Sequence, residues 1–181
     1  MRRHSVVFFI LVAVVAFAGP ARSDGLNIYG GLGVDLNGDY NTPLGFGDRL
    51  NYQVGLDVPV TDHLSIAPEW EFQHVAGTGI EQGKTVKASA NIICVFGNIS
   101  VHTRERERYM PYGGVGFGVG RISTKAYASW LPFNVGTQNG FAIQGFGGIR
   151  LFRHVYIEVE VRRIFVENMD TDVMLNFGGL L

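Results

Sequence analysis

The sequence predicts an all-β chain, an eight-stranded antiparallel up-and-down transmembrane β-barrel. Three observations carry this expectation. Apolar side chains fall on every second position over most of the chain, full charges occupy the intervening positions in mid-strand, and the chain opens with the pattern of an export signal. A period of two marks strands with one apolar and one polar face. Charges in the middle of such strands, in an exported chain, point the apolar face toward lipid and the polar face toward a closed interior.

The opening element comes first. Arg2, Arg3 and His4 precede an uncharged apolar run from Val6 to Ala18, followed by Gly19-Pro20-Ala21-Arg22-Ser23. A basic start, a short apolar centre and small residues before the cut are the order of a secretory signal. Residues 1–23 are therefore expected to be removed after Ser23, leaving 24–181 as one barrel domain. The run is too short for a membrane-spanning helix, which needs about 20 apolar residues. Loss of Arg2, Arg3 and Arg22 takes the 15 basic residues to 12 against 16 acidic ones, a formal charge near −4. No basic cluster is interleaved with stacking aromatics, so nucleic acid is not an expected partner. The single cysteine, Cys94, excludes an internal disulfide, and its neighbours place it on the lipid face as a packing residue.

The strands follow in order, near 25–36, 48–60, 63–75, 84–98, 109–121, 139–152, 155–166 and 172–181. In the first, Leu26, Ile28, Leu32, Val34 and Leu36 share one parity against Asn27, Tyr29, Gly31, Gly33 and Asp35. In the second, Leu50, Tyr52, Val54, Leu56 and Val58 oppose Arg49, Asn51, Gln53, Gly55 and Asp57. The third sets Leu64, Ile66, Trp70 and Phe72 outward, with Trp70 suited to an aromatic girdle. The fifth carries Gly114, Gly116, Gly118 and Gly120 on one face, opposite Val115, Phe117 and Val119. Glycine weakens a strand unless something large approaches its backbone, so this stripe should leave room for Arg, Glu and Tyr from across the barrel. A dinucleotide-binding loop would need a following helix, and a polar stretch and another alternating strand come next instead. The seventh strand is the clearest: Val155, Ile157, Val159 and Val161 alternate with Tyr156, Glu158, Glu160 and Arg162.

Connections alternate in length. Thr61-Asp62 and Arg153-His154 read as tight turns, whereas 37–47, 76–83, 122–138 and the shorter 167–171 read as loops, which in bacterial barrels face outward. The charged stretch 99–108 lies on the turn side and reads as a solvated extension, self-paired through Glu105, Arg106, Glu107 and Arg108.

Pooling the strands assigns Arg49, Asp57, Glu69, Glu71, Lys87, Arg150, Glu158, Glu160 and Arg162 to the interior face. A narrow lumen with both signs should neutralise itself through paired groups, because buried charges left alone cost several kcal/mol each.

Met110-Pro111-Tyr112-Gly113-Gly114-Val115-Gly116-Phe117-Gly118 resembles the fifth strand of the small outer-membrane β-barrel family, which includes OmpA-type and opacity-type proteins. The hairpin from Phe141 to Arg150 and Val155 to Arg163 resembles the family's sixth and seventh strands. The resemblance implies the outer membrane of a Gram-negative bacterium, contact with its lipid and lipopolysaccharide, and insertion by the barrel-insertion machinery. Family members commonly end on an aromatic residue; this chain ends on Leu181, with Phe177 four residues earlier. The chain stops with its eighth strand, so no wall-binding domain is expected.

No catalytic, metal or cofactor site is expected. His74 has lipid-facing parity near the outer end of the third strand, but no serine lies one strand away, as a lipid-modifying acyl hydrolase would require. His63, His102 and His154 fall at turns and are too scattered for metal. Trp130 and Phe133 in the longest outer loop are the candidates for contact with a surface partner, since binding residues concentrate on loops held by a rigid scaffold. The expected function is structural and surface-displaying. A lipid A-modifying hydrolase and a soluble periplasmic lipocalin-like barrel are the alternatives, and a general diffusion porin is disfavoured because eight strands fill with side chains.

Overall fold

A strand whose polar face cannot meet water must either bury that face or pair it, and this chain does both by closing. The computed structural model describes residues 26–36, 50–81, 84–103, 109–128, 131–151, 154–166 and 171–180, and their side chains except at 77–81, 84–86, 88, 126–128 and 131–135. Eight strands run in order: β1 (Asn27–Asp35), β2 (Leu50–Thr61), β3 (Leu64–Glu81), β4 (Lys84–His102), β5 (Tyr109–Ala128), β6 (Leu131–Leu151), β7 (Val155–Ile164) and β8 (Thr171–Leu180). Each pairs antiparallel with the next, and β8 returns to β1, with Gly33 opposite both Asn51 and Asn176. The sheet has no free edge.

The direction of the amphipathic faces settles the environment. Along β7, Tyr156, Glu158, Glu160 and Arg162 are buried, while Ile157 and Val159 are 41% and 47% exposed. Leu32, Val54, Trp70, Val119, Phe141 and Phe177 continue the apolar wall around the barrel. A continuous apolar exterior far exceeds the patch a soluble monomer tolerates. It matches a barrel immersed in hydrocarbon. The soluble lipocalin-like alternative, with its apolar face inside, is thereby overturned.

The strands are longer than the hydropathy alternation indicates. β3 runs to Glu81, which pairs with Lys84 of β4, and β5 runs to Ala128, which pairs with Leu131 of β6. The expected loops 76–83 and 122–138 are thus mostly paired hairpin, and Phe133 is a β6 residue opposite Ala126 rather than a loop residue. Beyond the bilayer neither face meets lipid, so the period-two signal stops, whereas backbone pairing continues through β-favouring residues such as Thr85, Val86, Ile122 and Tyr127. At the other end, β4 also continues to His102, which shortens the expected 99–108 connection. The signal segment, Arg49, the pairs in 104–108, Trp130 and Leu181 lie outside the described residues.

The phase of β4 differs from expectation. Ile92, Cys94 and Phe96 point into the barrel and pack with Ala142 and Ile164, so Cys94 is a core residue, not a lipid-facing one. Lys87, on the opposite parity, is exposed on the outer wall rather than lumenal. One cause explains both. The run Ile92-Ile93-Cys94-Val95-Phe96 is apolar on both parities, so its hydropathy does not say which face is which.

The β5 glycine stripe faces inward as expected, but what fills it is different. A Cβ at Gly114 would collide with the Phe146 ring, at Gly116 with Asn98 and Gln144, at Gly118 with Phe96, and at Gly120 with Ile164. Amide and apolar groups, rather than Arg and Glu, take the space. Gly118→Leu is expected to abolish the heat-modifiable folded band on a detergent gel, whereas Gly97→Leu on the outer wall, where a Cβ comes no nearer than 3.9 Å to the Phe117 carbonyl oxygen, should retain it.

Candidate functional site

The interior is built in layers from the turn end upward. Nearest the turns, Arg150 of β6 donates to Asp57 of β2 at 2.6 Å, and its guanidinium lies 5.1 Å from the centre of the Tyr112 ring. His102 of β4 is buried, its Nε2 3.2 Å from Ser65 Oγ. It is therefore a buried network residue and not the solvated turn residue its sequence position suggested; His63 and His154 do lie exposed at turns.

Above this, Glu69 of β3 collects donors from three other strands. Tyr29 donates its hydroxyl at 2.6 Å, Gln144 its amide at 2.8 Å and Asn98 its amide at 3.1 Å. Gln53 donates to the Tyr156 hydroxyl at 2.7 Å. The Tyr29 and Tyr156 rings meet edge to face at 6.2 Å. Gly55 makes room for Tyr29, and Gly31 and Gly178 make room for Tyr156.

The next layer centres on Arg162, which is fully buried. Its guanidinium donates to Glu71 at 2.5 Å, to Asp172 at 2.8 Å and to Gln73. Asn176 donates to Glu160 at 2.8 Å and to Glu158 at 3.3 Å. Toward the long hairpins the Ile92, Cys94, Phe96, Ala142 and Ile164 cluster closes the lumen.

Among these layers, Tyr29, Glu69, Tyr112, Arg150 and Glu158 line a cavity of about 30 Å³. That holds about one water and no apolar ligand of useful size.

Of the nine residues assigned to the interior from sequence, Asp57, Glu69, Glu71, Arg150, Glu158, Glu160 and Arg162 are there. The structure joins Arg150 to Asp57 and Arg162 to Glu71. Ion pairing with arginine, however, does not balance the interior acids among the described residues. Seven carboxylates (Asp35, Asp57, Glu69, Glu71, Glu158, Glu160 and Asp172) face two guanidiniums. Neutral donors make up part of the difference: Tyr29, Gln73, Asn98, Gln144 and Asn176 each donate to a carboxylate. A reading restricted to charged residues misses these amides, although their interior parity is visible in the sequence.

On the outer wall, His74 Nδ1 lies 2.7 Å from Asn91 Oδ1. Asn91 is in turn opposite Ser123, so the nearest in-register serine is two strands from the histidine, roughly 10 Å away at the spacing of a sheet. A nucleophile and its base need direct hydrogen-bond contact. The row His74, Asn91, Ser123 does not supply it. Among the described residues no group of three or more His, Cys, Asp or Glu is arranged to hold a metal.

A closed, eight-stranded, all-antiparallel barrel with an apolar exterior and a filled polar interior has the architecture of a small outer-membrane barrel. No protein-family model and no curated protein matches the sequence. Among solved structures, Neisserial surface protein A superposes with a TM-score of 0.53 at 10% identity, covering 86% of this chain and 94% of that one. The attachment invasion locus protein Ail of Yersinia pestis superposes with a TM-score of 0.51 at 11% identity, covering 86% of this chain and 95% of that one. The outer membrane enzyme PagL gives a TM-score of 0.47 at 13% identity, a likeness too loose to bear on activity. At these identities the likeness is one of fold.

Removing Arg162 strands two buried carboxylates. Arg162→Ala is expected to destabilise the folded barrel by about 3–5 kcal/mol, the usual consequence of breaking a buried ion pair from one side. Urea titration in lipid vesicles measures this, and a loss below about 1 kcal/mol would show that the Arg162 layer is not an interdependent unit.

Proposed function

We propose that the protein is an integral outer-membrane barrel with a structural and surface-display role and no enzymatic activity of its own. The observation that carries this reading is the contrast between a sealed interior and prolonged outer hairpins. The described lumen is crowded by side chains around a small cavity of about 30 Å³, while β3–β4 and β5–β6 continue as paired ribbon past the apolar band. A barrel that transports nothing but raises two stiff hairpins above the bilayer is suited to presenting a surface. Trp130 and Phe133 are the residues proposed to meet a partner, and Phe133 lies in the longer hairpin, opposite Ala126. Outer-membrane lipid with its lipopolysaccharide, and the barrel-insertion machinery, are the other partners this reading entails.

The acyl-hydrolase reading has less support, because His74 is bonded to Asn91, and the serine on the adjacent strand, Ser89, pairs with Ala76 rather than with His74.

An epitope inserted between Ser129 and Trp130 is expected to be stained by antibody on intact cells, and staining only after permeabilisation would contradict the display role. In planar bilayers the purified protein should give no stable openings. Release of acyl chains from lipopolysaccharide that disappears in His74→Ala would instead establish an enzyme.

A further inference from the structure

Arg121 and Lys125 of β5, Arg163 of β7 and Lys87 of β4 are exposed on the outer wall, and all lie toward the ends of their strands that carry the long hairpins. None of these four is paired with a carboxylate among the described residues. The polar residues His74, Asn91, Ser123, Thr137 and Asn139 accompany them at the upper limit of the apolar band.

The seam from β5 to β7 adds shape to this charge. Phe117, Phe141 and Phe165 form a stacked ladder across three strands, with ring centres 6.5 and 6.0 Å apart and planes inclined by 27° in both pairs. The Arg163 guanidinium lies 5.6 Å from the Phe165 ring centre. Arg121 is in register with Asn139, and Gln138, Asn139, Arg163 and Phe165 line a shallow depression in the wall. A fan of phenyl rings topped by guanidinium and amide donors fits an amphiphile with an acyl chain below and an anionic head above. Guanidinium groups bind phosphate by paired, charge-assisted hydrogen bonds.

We infer that the β5–β7 seam is a binding site for the phosphate-bearing head of an outer-leaflet glycolipid, with Arg121 and Arg163 as phosphate ligands and the phenyl ladder as the acyl-chain seat. This rests on the outer-membrane reading above and names one site within it.

The test uses the full chain folded into phosphatidylcholine nanodiscs doped with bis-phosphorylated lipid A or with its dephosphorylated form. Lipid retained after detergent exchange is counted by native mass spectrometry. The phosphorylated form is expected to be retained about tenfold or more over the dephosphorylated one, the effect of one or two charge-assisted contacts. The double variant Arg121→Gln with Arg163→Gln should lose that preference, while the distant Lys87→Gln keeps it. Equal retention of the two lipids, or an unchanged preference in the double variant, would overturn the site. Competition by millimolar inorganic phosphate as effective as by lipid A would also overturn it, because the site would then read a bare anion. The heat-modifiable band of each variant separates these outcomes from failure of the barrel itself: a protein that never inserts contradicts the membrane reading, whereas a folded barrel without lipid preference contradicts only the site.

Discussion

In hydrocarbon a backbone N–H or C=O has no water to fall back on, and each one left unpaired costs several kcal/mol. Everything else in this structure follows from meeting that requirement by closure. The pairing of β8 with β1 removes the last free edge, with Gly31 opposite Gly178 and Gly33 opposite Asn176. Once the sheet is closed, one set of side chains must face lipid and the other must fit a cylinder too narrow for solvent. The apolar exterior and the crowded interior are two consequences of the same constraint.

The interior meets a second difficulty, which is that carboxylates outnumber guanidiniums there. Two arginines tie strands together, Arg162 joining β3, β7 and β8 through three partners and Arg150 joining β2 and β6 through Asp57. Between them, amides and phenols cross the barrel to the remaining acids, Glu69 alone taking bonds from β1, β4 and β6. The glycines of β1, β2, β5 and β8 are the other half of this arrangement, since the tyrosines and amides occupy the space a Cβ would need. Above the polar layers, the Cys94 and Phe96 cluster seals the hairpin end with apolar packing. The combination fills the described interior with side chains despite its many charged groups.

Much of the architecture was legible in the alternation itself. β7 reads identically in sequence and in space, because each of its positions is either clearly apolar or clearly polar. β4 does not, because Ile92, Ile93, Cys94, Val95 and Phe96 are apolar on both parities, and only the barrel's packing chooses which parity goes inside. That choice moved Cys94 inward and Lys87 outward. The hairpins above the membrane were illegible for a different reason: hydropathy reports contact with lipid, and a ribbon in water keeps its hydrogen bonds without keeping the pattern. The interior network was half legible. Its charges were found by parity, but its amides, and the partnerships of Asp35 and Asp172, depend on register across strands far apart in sequence.

The orientation of the two faces is the claim on which the account turns, and Trp70 reports it directly. It is exposed on the outer wall of β3, between Glu69 and Glu71, both of which face inward. With Trp130 replaced by phenylalanine, Trp70 is the only tryptophan, and its fluorescence can be measured in vesicles of brominated-chain lipids. The account predicts blue-shifted emission that bromine on the acyl chains quenches strongly and aqueous acrylamide does not. Emission indifferent to brominated lipid but quenched from water would mean that the wall carrying Trp70 does not face hydrocarbon, and the account would fail.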